Sequence, residues 1–117
     1  MKNDTNKVEV SGTIYTEPQE EDRRTSFMLS VHRAYERDGE WKHTKMMVPI
    51  TIWGKLRDEL EDEGVLLAKG MHVRITGNLS TYRDKLNEDL WRFSVTAWSL
   101  EWVEAEPKKP EAYDEPF

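Results

Sequence analysis

MMVPITIWGKLRDELEDEGVLLAKGMHVRITGNL, residues 46–79, changes its hydrophobic period twice. Apolar and polar residues alternate up to residue 53, which predicts a strand with one buried face. Over 55–67 leucines recur at helical spacing with acidic residues between them, which predicts an amphipathic helix. Lys69-Gly70 supplies a basic last turn and a C-cap glycine, and alternation returns over 73–79. These residues therefore predict strand, helix and strand in that order.

Alternation also predicts strands on both sides of these residues. Asp38-Gly39 separates two alternating runs and is a strong hairpin signal. Gly12 interrupts the apolar side of the first strand, which indicates a bulge or bend. Pro49 indicates a sheet edge or a bulge, because proline cannot donate to a ladder. The predicted strands are about 8–14, 27–32, 41–53, 73–79 and 91–103, with polar connections at 16–24 and 83–89.

The order of elements is three strands, one helix and two strands. Strands of about ten residues suit a strongly coiled, closed sheet. The predicted fold class is therefore all-β: an OB-fold, which is a five-stranded Greek-key barrel with one helix between strands 3 and 4. We expect a folded domain at 1–103 and a disordered acidic tail at 104–117, where three of the five prolines lie and little is apolar.

Several classes of function lack the residues that they need. The chain has no Cys, which excludes disulfides, thiolate nucleophiles and Cys-ligated metals. Its three histidines show no ligand spacing and it has no glycine-rich phosphate loop, so we expect no enzyme, no metal site and no cofactor. No apolar run is long enough for a membrane span and no signal peptide precedes the first strand, so we expect a cytoplasmic protein with no membrane partner.

The formal net charge of −6 is unevenly distributed. Residues 57–63 contain five acids and one base, and residues 104–117 contain five acids and two bases. The rest has 14 bases and 13 acids, so the strands and loops are near neutral with local basic clusters. The net acidity therefore does not exclude a nucleic-acid partner, although ordinary solvated surface explains any one basic cluster equally well.

Aromatic residues lie next to these basic clusters. Trp41, Tyr82 and Trp91 each precede a Lys or Arg, and Tyr35 lies between two arginines. A ring beside a cation can stack a base and contact a phosphate without reading sequence, so the pattern favours single-stranded nucleic acid. Many Trp and Tyr residues are instead partly buried packing residues. We assign Phe27 and Phe93 to the core and Trp102 to barrel closure, leave Trp98 undecided, and expect Trp41, Trp53 and Trp91 to serve the site.

Several short segments, taken together in their order, resemble one known family. They are Asn6-Lys7-Val8 with Gly12, Asp38-Gly39-Glu40-Trp41, Trp53-Gly54-Lys55-Leu56, Lys69-Gly70 followed by Val73-x-Ile75-x-Gly77-x-Leu79, and Tyr113-Asp114-Glu115-Pro116-Phe117. Over residues 6–103 and the last five, the chain resembles the bacterial-type single-stranded DNA-binding proteins, SSB. The short linker before the last five residues suits a phage, plasmid or otherwise reduced member, in the host cytoplasm if phage-encoded and nucleoid-associated otherwise.

The resemblance implies an OB-fold that oligomerises, with a tetramer favoured over a dimer, and that wraps single-stranded DNA. It also implies stacking positions: Tyr35 falls on a family Trp, Trp53 on a Phe and Trp91 on a Tyr. Two family Trp residues are missing, and Met47 and Tyr82 stand near their places. The predicted ssDNA-binding residues are Arg33, Tyr35, Trp41, Lys42, Met47, Trp53, Arg74, Tyr82, Arg83, Lys85 and Trp91.

The acidic tip is the second functional feature that the resemblance implies. Asp114, Glu115, Pro116 and Phe117 are predicted to recruit replication, recombination and repair proteins. We also expect the tail to compete with DNA for the basic groove. The alternatives are a primosome-type OB-fold adaptor, an RNA-binding OB module and a purely structural OB oligomer. Such adaptors usually lack the Pro-Phe tip, and a structural oligomer would leave the Trp residues unused.

Overall fold

In the computed structural model, which describes residues 3–103, the chain forms an all-β closed barrel of five long strands with one short helix. This confirms the predicted fold class, with one short strand added. The predicted tail at 104–117 lies outside the described residues. Within 3–103, no helix has the length and apolar character needed to cross a bilayer. The elements are β1 (Val8–Ile14), β2 (Gln19–Glu21), β3 (Arg24–Arg37), β4 (Glu40–Trp53), α1 (Gly54–Asp62), β5 (His72–Arg83) and β6 (Trp91–Val103).

The barrel closes because β1 pairs with two different strands. Val8 lies opposite Gly77 of β5, and Ile14 lies opposite Leu29 of β3, both in antiparallel ladders. β6 is antiparallel to β5 and pairs in parallel with β4 over a short stretch. The strand order around the barrel is β1-β5-β6-β4-β3, and β3 then meets β1 again. The helix lies between β4 and β5, which are the third and fourth long strands, as predicted.

The core is filled from alternating positions of the long strands and from two leucines of α1. Phe27 is 4% exposed, which confirms its predicted core position. Phe93 and Trp102 are 53% and 55% exposed, so the core and closure roles predicted for them are wrong. Both keep the core phase, but they lie towards the two ends of β6, outside its short pairing with β4. The core cluster is Ile14, Phe27, Leu29, Val48, Ile50, Ile52, Leu56, Leu60, Val73, Ile75, Val95 and Ala97.

Gly12 and Gly77 lie where strands approach too closely for a side chain. A Cβ at Gly12 would lie 2.2 Å from the carbonyl oxygen of Ser30, and one at Gly77 would lie 2.0 Å from that of Thr96. The ladder between β1 and β5 runs through Gly12 without a register shift. Gly12 therefore serves a close approach of β1 to β3, and no bulge is present there. The register shift lies instead beside Gly77, where Trp98 is the extra residue of β6.

β3 and β4 form a hairpin of 14 residues on each side. Asp38 and Gly39 have φ values of 53° and 77°, as a two-residue type I′ turn requires, which confirms the predicted hairpin. Pro49 lies opposite Met28, one residue before β4 begins to pair with β6 at Ile50. One side of β4 is therefore an edge at Pro49, as predicted.

The predicted loop at 16–24 contains the short strand β2. Gln19–Glu21 pairs antiparallel with the start of β3 around a turn at Asp22 and Arg23, which both have positive φ. All three residues of β2 are exposed, so no apolar alternation marks them. The prediction of an unbroken loop is wrong for this reason.

Helix α1 is shorter than the predicted 55–67. Gly64 has a φ of +76°, and the Val65 N–H donates to the Leu60 carbonyl at 2.8 Å, which is the pattern of a glycine C-cap. The helix therefore ends at Asp62, and the prediction that Lys69-Gly70 ends it is wrong. Within the helix Leu56 and Leu60 are buried, and the acidic side chains between them face solvent.

Candidate nucleic-acid interface

A groove of about 720 Å³ crosses the barrel surface beside the β5–β6 hairpin. The first residues of β3 and the last residues of β4 form one wall. The end of β5, the 84–90 connection and the start of β6 form the other wall. The basic and aromatic side chains of its lining are Arg24, Trp53, Tyr82, Arg83, Lys85 and Arg92, over a floor that includes Ser26, Thr51, Ser80, Ser94 and Thr96.

Small hydroxyl side chains make up the floor of the groove. The Thr51 and Ser94 hydroxyl oxygens lie 3.4 Å apart, and those of Ser80 and Thr96 lie 2.8 Å apart. These residues occupy the outward phase of β4, β5 and β6, opposite in phase to the core residues. A floor of short polar side chains leaves space above the sheet for a planar group and offers hydrogen bonds to it.

Two tryptophans beside the groove are each paired with an arginine. The Arg24 guanidinium carbon lies 5.8 Å from the centre of the Trp53 ring, and that of Arg83 lies 4.8 Å from the centre of the Trp91 ring. Both pairs follow from register, because Arg24 lies directly opposite Trp53 and Arg83 lies directly opposite Trp91. Both rings remain about half exposed. Each pair therefore presents a free ring surface and a positive charge together.

The 84–90 connection is organised around the carboxylate of Asp84. Its Oδ1 accepts hydrogen bonds from the backbone N–H groups of Leu86 at 2.8 Å and Asn87 at 3.1 Å. Its Oδ2 accepts a hydrogen bond from Nε of Arg92. The Asp84 N–H also donates to the Leu90 carbonyl at 2.9 Å. These contacts fix the loop that carries Lys85 into the groove.

The same contacts set the ionisation of this pair. The hydrogen bond from Arg92, followed by that from the Leu86 backbone, lowers the pKa of Asp84 below its ordinary value of 3.8. The hydrogen bond to Asp84 raises the pKa of Arg92 in turn. Both groups stay charged near neutral pH, so one negative charge offsets one of the four positive charges of Arg24, Arg83, Lys85 and Arg92. The groove keeps a positive excess although the chain is acidic.

The structure brings some of the predicted site residues together. Trp53, Tyr82, Arg83 and Lys85 line the groove, and Trp91 lies beside it through its contact with Arg83. Arg74 lies outside that lining and forms an ion pair of 3.6 Å with Glu101, its neighbour across β5 and β6. The site role of each of these residues stays a prediction.

The remaining predicted residues lie on the β3–β4 hairpin, outside the groove lining, and they divide between its two faces. Tyr35 lies opposite Lys42 on the face that continues the core phase, together with Arg33. Trp41 and Met47 lie on the other face, which they share with Trp53. Lys42 donates to Glu40 at 3.0 Å. The hairpin therefore offers two separate surfaces of predicted residues.

Two arginines of the groove, Arg24 and Arg92, are absent from the sequence-based set. The Arg23-Arg24 cluster is visible in the sequence, but its position opposite Trp53 depends on the register of β3 and β4. Arg92 follows Trp91 directly, so the alternation of β6 puts it on the opposite face, beside Tyr82. Alternation counted outward from Trp53 and Tyr82 is the sequence signal that finds the hydroxyl floor.

The described residues contain no cluster that suits a metal ion. Within 3–103, no group of three or more His, Asp or Glu side chains is close enough to hold one. The lining of the groove offers aromatic rings, cations and hydroxyls.

Comparisons with known proteins agree with this architecture. The Single-strand binding protein family matches residues 5–102. No curated protein matches the chain. A Plasmodium falciparum SSB in complex with ssDNA superposes with a TM-score of 0.73 at 20% identity, covering 89% of this chain and 99% of that one. A small single-stranded DNA-binding protein from Streptomyces coelicolor gives a TM-score of 0.66 at 16% identity, covering 86% and 96%.

A third structure is similar and has a different name. The dimeric N-terminal domain of PriB from Thermoanaerobacter tencongensis gives a TM-score of 0.60 at 28% identity, covering 86% of this chain and 98% of that one. Its identity to this chain is higher than that of the two single-stranded DNA-binding proteins, whereas its TM-score is lower.

Proposed function

Because the chain belongs to the single-strand binding protein family, we propose that it binds single-stranded DNA independently of sequence, through base stacking and phosphate contacts. The observation that carries the proposal is the groove with its edge: Trp53 lines the groove and Trp91 lies beside it, and each presents a half-exposed ring next to an arginine. Bases stack on such rings whatever their identity, and each stacked base contributes about 1–3 kcal/mol. The protein acts by binding and not by catalysis.

The arrangement of the groove favours single strands over duplexes. Bases stack on Trp53, Tyr82 and Trp91, and phosphates contact Arg83 and Lys85 at the outer edge. The hydroxyl floor accepts the edges of unpaired bases. A duplex hides its base faces, so it gains only the phosphate contacts. The similar structures of the Plasmodium falciparum and Streptomyces coelicolor single-stranded DNA-binding proteins are consistent with single-stranded DNA as the ligand of the groove.

We propose the same division of the chain as the sequence predicts. Residues 1–103 form the DNA-binding domain and residues 104–117 form an acidic tail. In the sequence of the tip, Asp114 and Glu115 precede Pro116 and Phe117, which offers a ring together with carboxylates. A partner with an apolar pocket and a basic rim fits this tip. Replication, recombination and repair proteins are the proposed partners, in the cytoplasm.

The experiment that tests DNA binding is tryptophan fluorescence. All five Trp residues lie within 3–103 and are about half exposed, so stacking of bases on some of them should quench the emission. We expect oligo-dT to quench strongly, oligo-U to quench less and a blunt duplex to quench little. Stronger quenching by oligo-U would favour an RNA-binding module. Absence of quenching with every single strand would overturn the proposal.

The assembly is proposed as a homotetramer, and the PriB-like structure supports a second candidate. That structure is dimeric, and the chain is 28% identical to it, so a primosome-type adaptor is the alternative. Sedimentation with and without oligo-dT separates the two, because a tetramer that takes up long DNA agrees with the first candidate. A dimer whose capture of replication proteins survives the substitution Phe117→Ala would favour the adaptor.

A further inference from the structure

Tyr15, which follows β1, carries a third ring–cation pair that the groove does not include. The Nζ of Lys45 lies 4.4 Å from the centre of its ring. The ring is 48% exposed, so part of its surface is open to a ligand. Tyr15 and Lys45 both have the outward phase, opposite to that of Ile14 and Val48 in the core.

The backbone around Tyr15 is held on both sides. The Tyr15 N–H donates to the Met28 carbonyl at 2.8 Å, and the Met28 N–H donates to Oγ1 of Thr16 at 3.0 Å. The Gly70 N–H donates to the carbonyl of Ile14 at 2.8 Å. A ring on a backbone fixed in this way loses little conformational freedom when a ligand stacks on it, which favours binding.

A second cleft leads from the groove to residues next to Tyr15. This side cleft, of about 450 Å³, shares Ser26, Thr51, Tyr82 and Ser94 with the groove. Its other end is lined by Thr16, the neighbour of Tyr15, and by Met28, its hydrogen-bond partner. An extended ligand that leaves the groove past Tyr82 and follows the side cleft therefore reaches Thr16 and Met28, which adjoin Tyr15 in the chain and through a backbone hydrogen bond.

We propose that Tyr15 and Lys45 form an additional binding position for single-stranded DNA, in which one base stacks on the Tyr15 ring and Lys45 contacts the adjoining phosphate. The inference rests on the proposed function, since the same strand occupies the groove. Glu17 lines the side cleft, and its negative charge repels phosphates. We therefore place the bases against this part of the path and the phosphates outwards, towards Lys45. A base on the ring and a phosphate at the cation match the chemistry of the two pairs beside the groove.

The test compares substitutions at Tyr15 and Lys45 in the full chain. The probe is an oligo-dT of about 16 nucleotides, the upper end of what one OB-fold covers. We expect Tyr15→Ala to weaken binding about 5- to 150-fold, which is the effect of losing one stacked base. Tyr15→Phe keeps the ring and should bind like the unaltered protein. Lys45→Gln should lower the slope of log affinity against log salt by about 0.7, whereas Lys45→Arg should preserve it.

The outcomes separate this inference from the function on which it rests. If Trp53→Ala weakens binding but Tyr15→Ala and Lys45→Gln both bind like the unaltered protein, the additional position does not exist and the groove stands. If the unaltered protein binds no single strand, the proposed function fails and this inference fails with it. Should Tyr15→Ala prove unfolded by circular dichroism, an unchanged salt slope in Lys45→Gln still overturns the inference.

Discussion

Removal of the Trp53 ring tests the stacking mechanism most directly. Trp53→Ala deletes a half-exposed ring of the groove wall together with its contact to Arg24. If one base stacks there, the loss is about 1–3 kcal/mol, or about 5- to 150-fold in affinity for oligo-dT. Trp53→Phe keeps a smaller ring and should recover most of that loss.

The same substitution should leave the domain folded. Trp53 is 48% exposed, so at most about 130 Å² of a ring that buries up to about 250 Å² is covered by the protein. At about 25 cal/mol per Å² this area contributes about 3 kcal/mol, and the exposed cation–π pair with Arg24 adds about 0.5–1 kcal/mol. The sum is below the 5–15 kcal/mol that holds a typical domain together.

Fluorescence anisotropy of a labelled oligo-dT measures the affinity, and circular dichroism measures the folded fraction. Trp98→Ala is the matched control, because Trp98 is 57% exposed and lies outside the groove lining. A folded Trp53→Ala variant that binds like the unaltered protein would show that Trp53 only packs against its neighbours. An equal loss in Trp98→Ala would show that the groove is not where the bases stack.

Three further predictions follow from the loop, the barrel and the tail. Because its contacts lower the pKa of Asp84, they add stability that is present above pH 3.8 and is lost as the pH falls below it. The Tm of Asp84→Asn should therefore lie below that of the unaltered protein at pH 7, and the two Tm values should converge near pH 2. A Tm difference that does not change with pH would contradict this. Gly12→Ala should cost about 1–3 kcal/mol in chemical unfolding, because its Cβ meets the Ser30 carbonyl at 2.2 Å; an unchanged midpoint would contradict this. Deletion of 104–117, which removes a net charge of −3, should tighten oligo-dT binding at low salt and have less effect at high salt; equal affinities at low salt would refute competition by the tail.

Most of the barrel is predictable from alternation, and the errors have physical causes. Alternation reports which face of a strand is turned inwards, and it places Phe27 correctly. It does not report where a strand leaves the barrel, so Phe93 and Trp102 share the core phase but are exposed. Strand β2 has no buried face and hence no pattern. The leucine spacing predicts too long a helix, because Gly64 ends the helix through its backbone conformation, which no spacing of leucines reveals.

The candidate site is less predictable, because it is assembled by register. The pairing of Arg24 with Trp53 joins the first residue of β3 to the last residue of β4. A shift of the register by one residue would turn one of the two side chains to the other face. Tyr35 and Trp41 are close in sequence, yet the hairpin places them on opposite faces. Aromatic and basic residues that are adjacent in sequence therefore predict stacking and phosphate binding, whereas the contacts between them depend on the register of the strands.

The exchange of partners by β1 has a consequence for how the chain folds. Of these elements β1 leaves the ribosome before the others, but one of its two partners, β5, follows only after β3, β4 and the helix. Contacts between segments so distant in sequence form slowly, and folding times of milliseconds to seconds are typical of such barrels. Until β1 is in place, β3 and β5 both present unpaired edges that invite pairing with other chains. The barrel is thus complete only when β1 has paired with both β3 and β5. Until this late step, the nascent chain is at its most prone to aggregation.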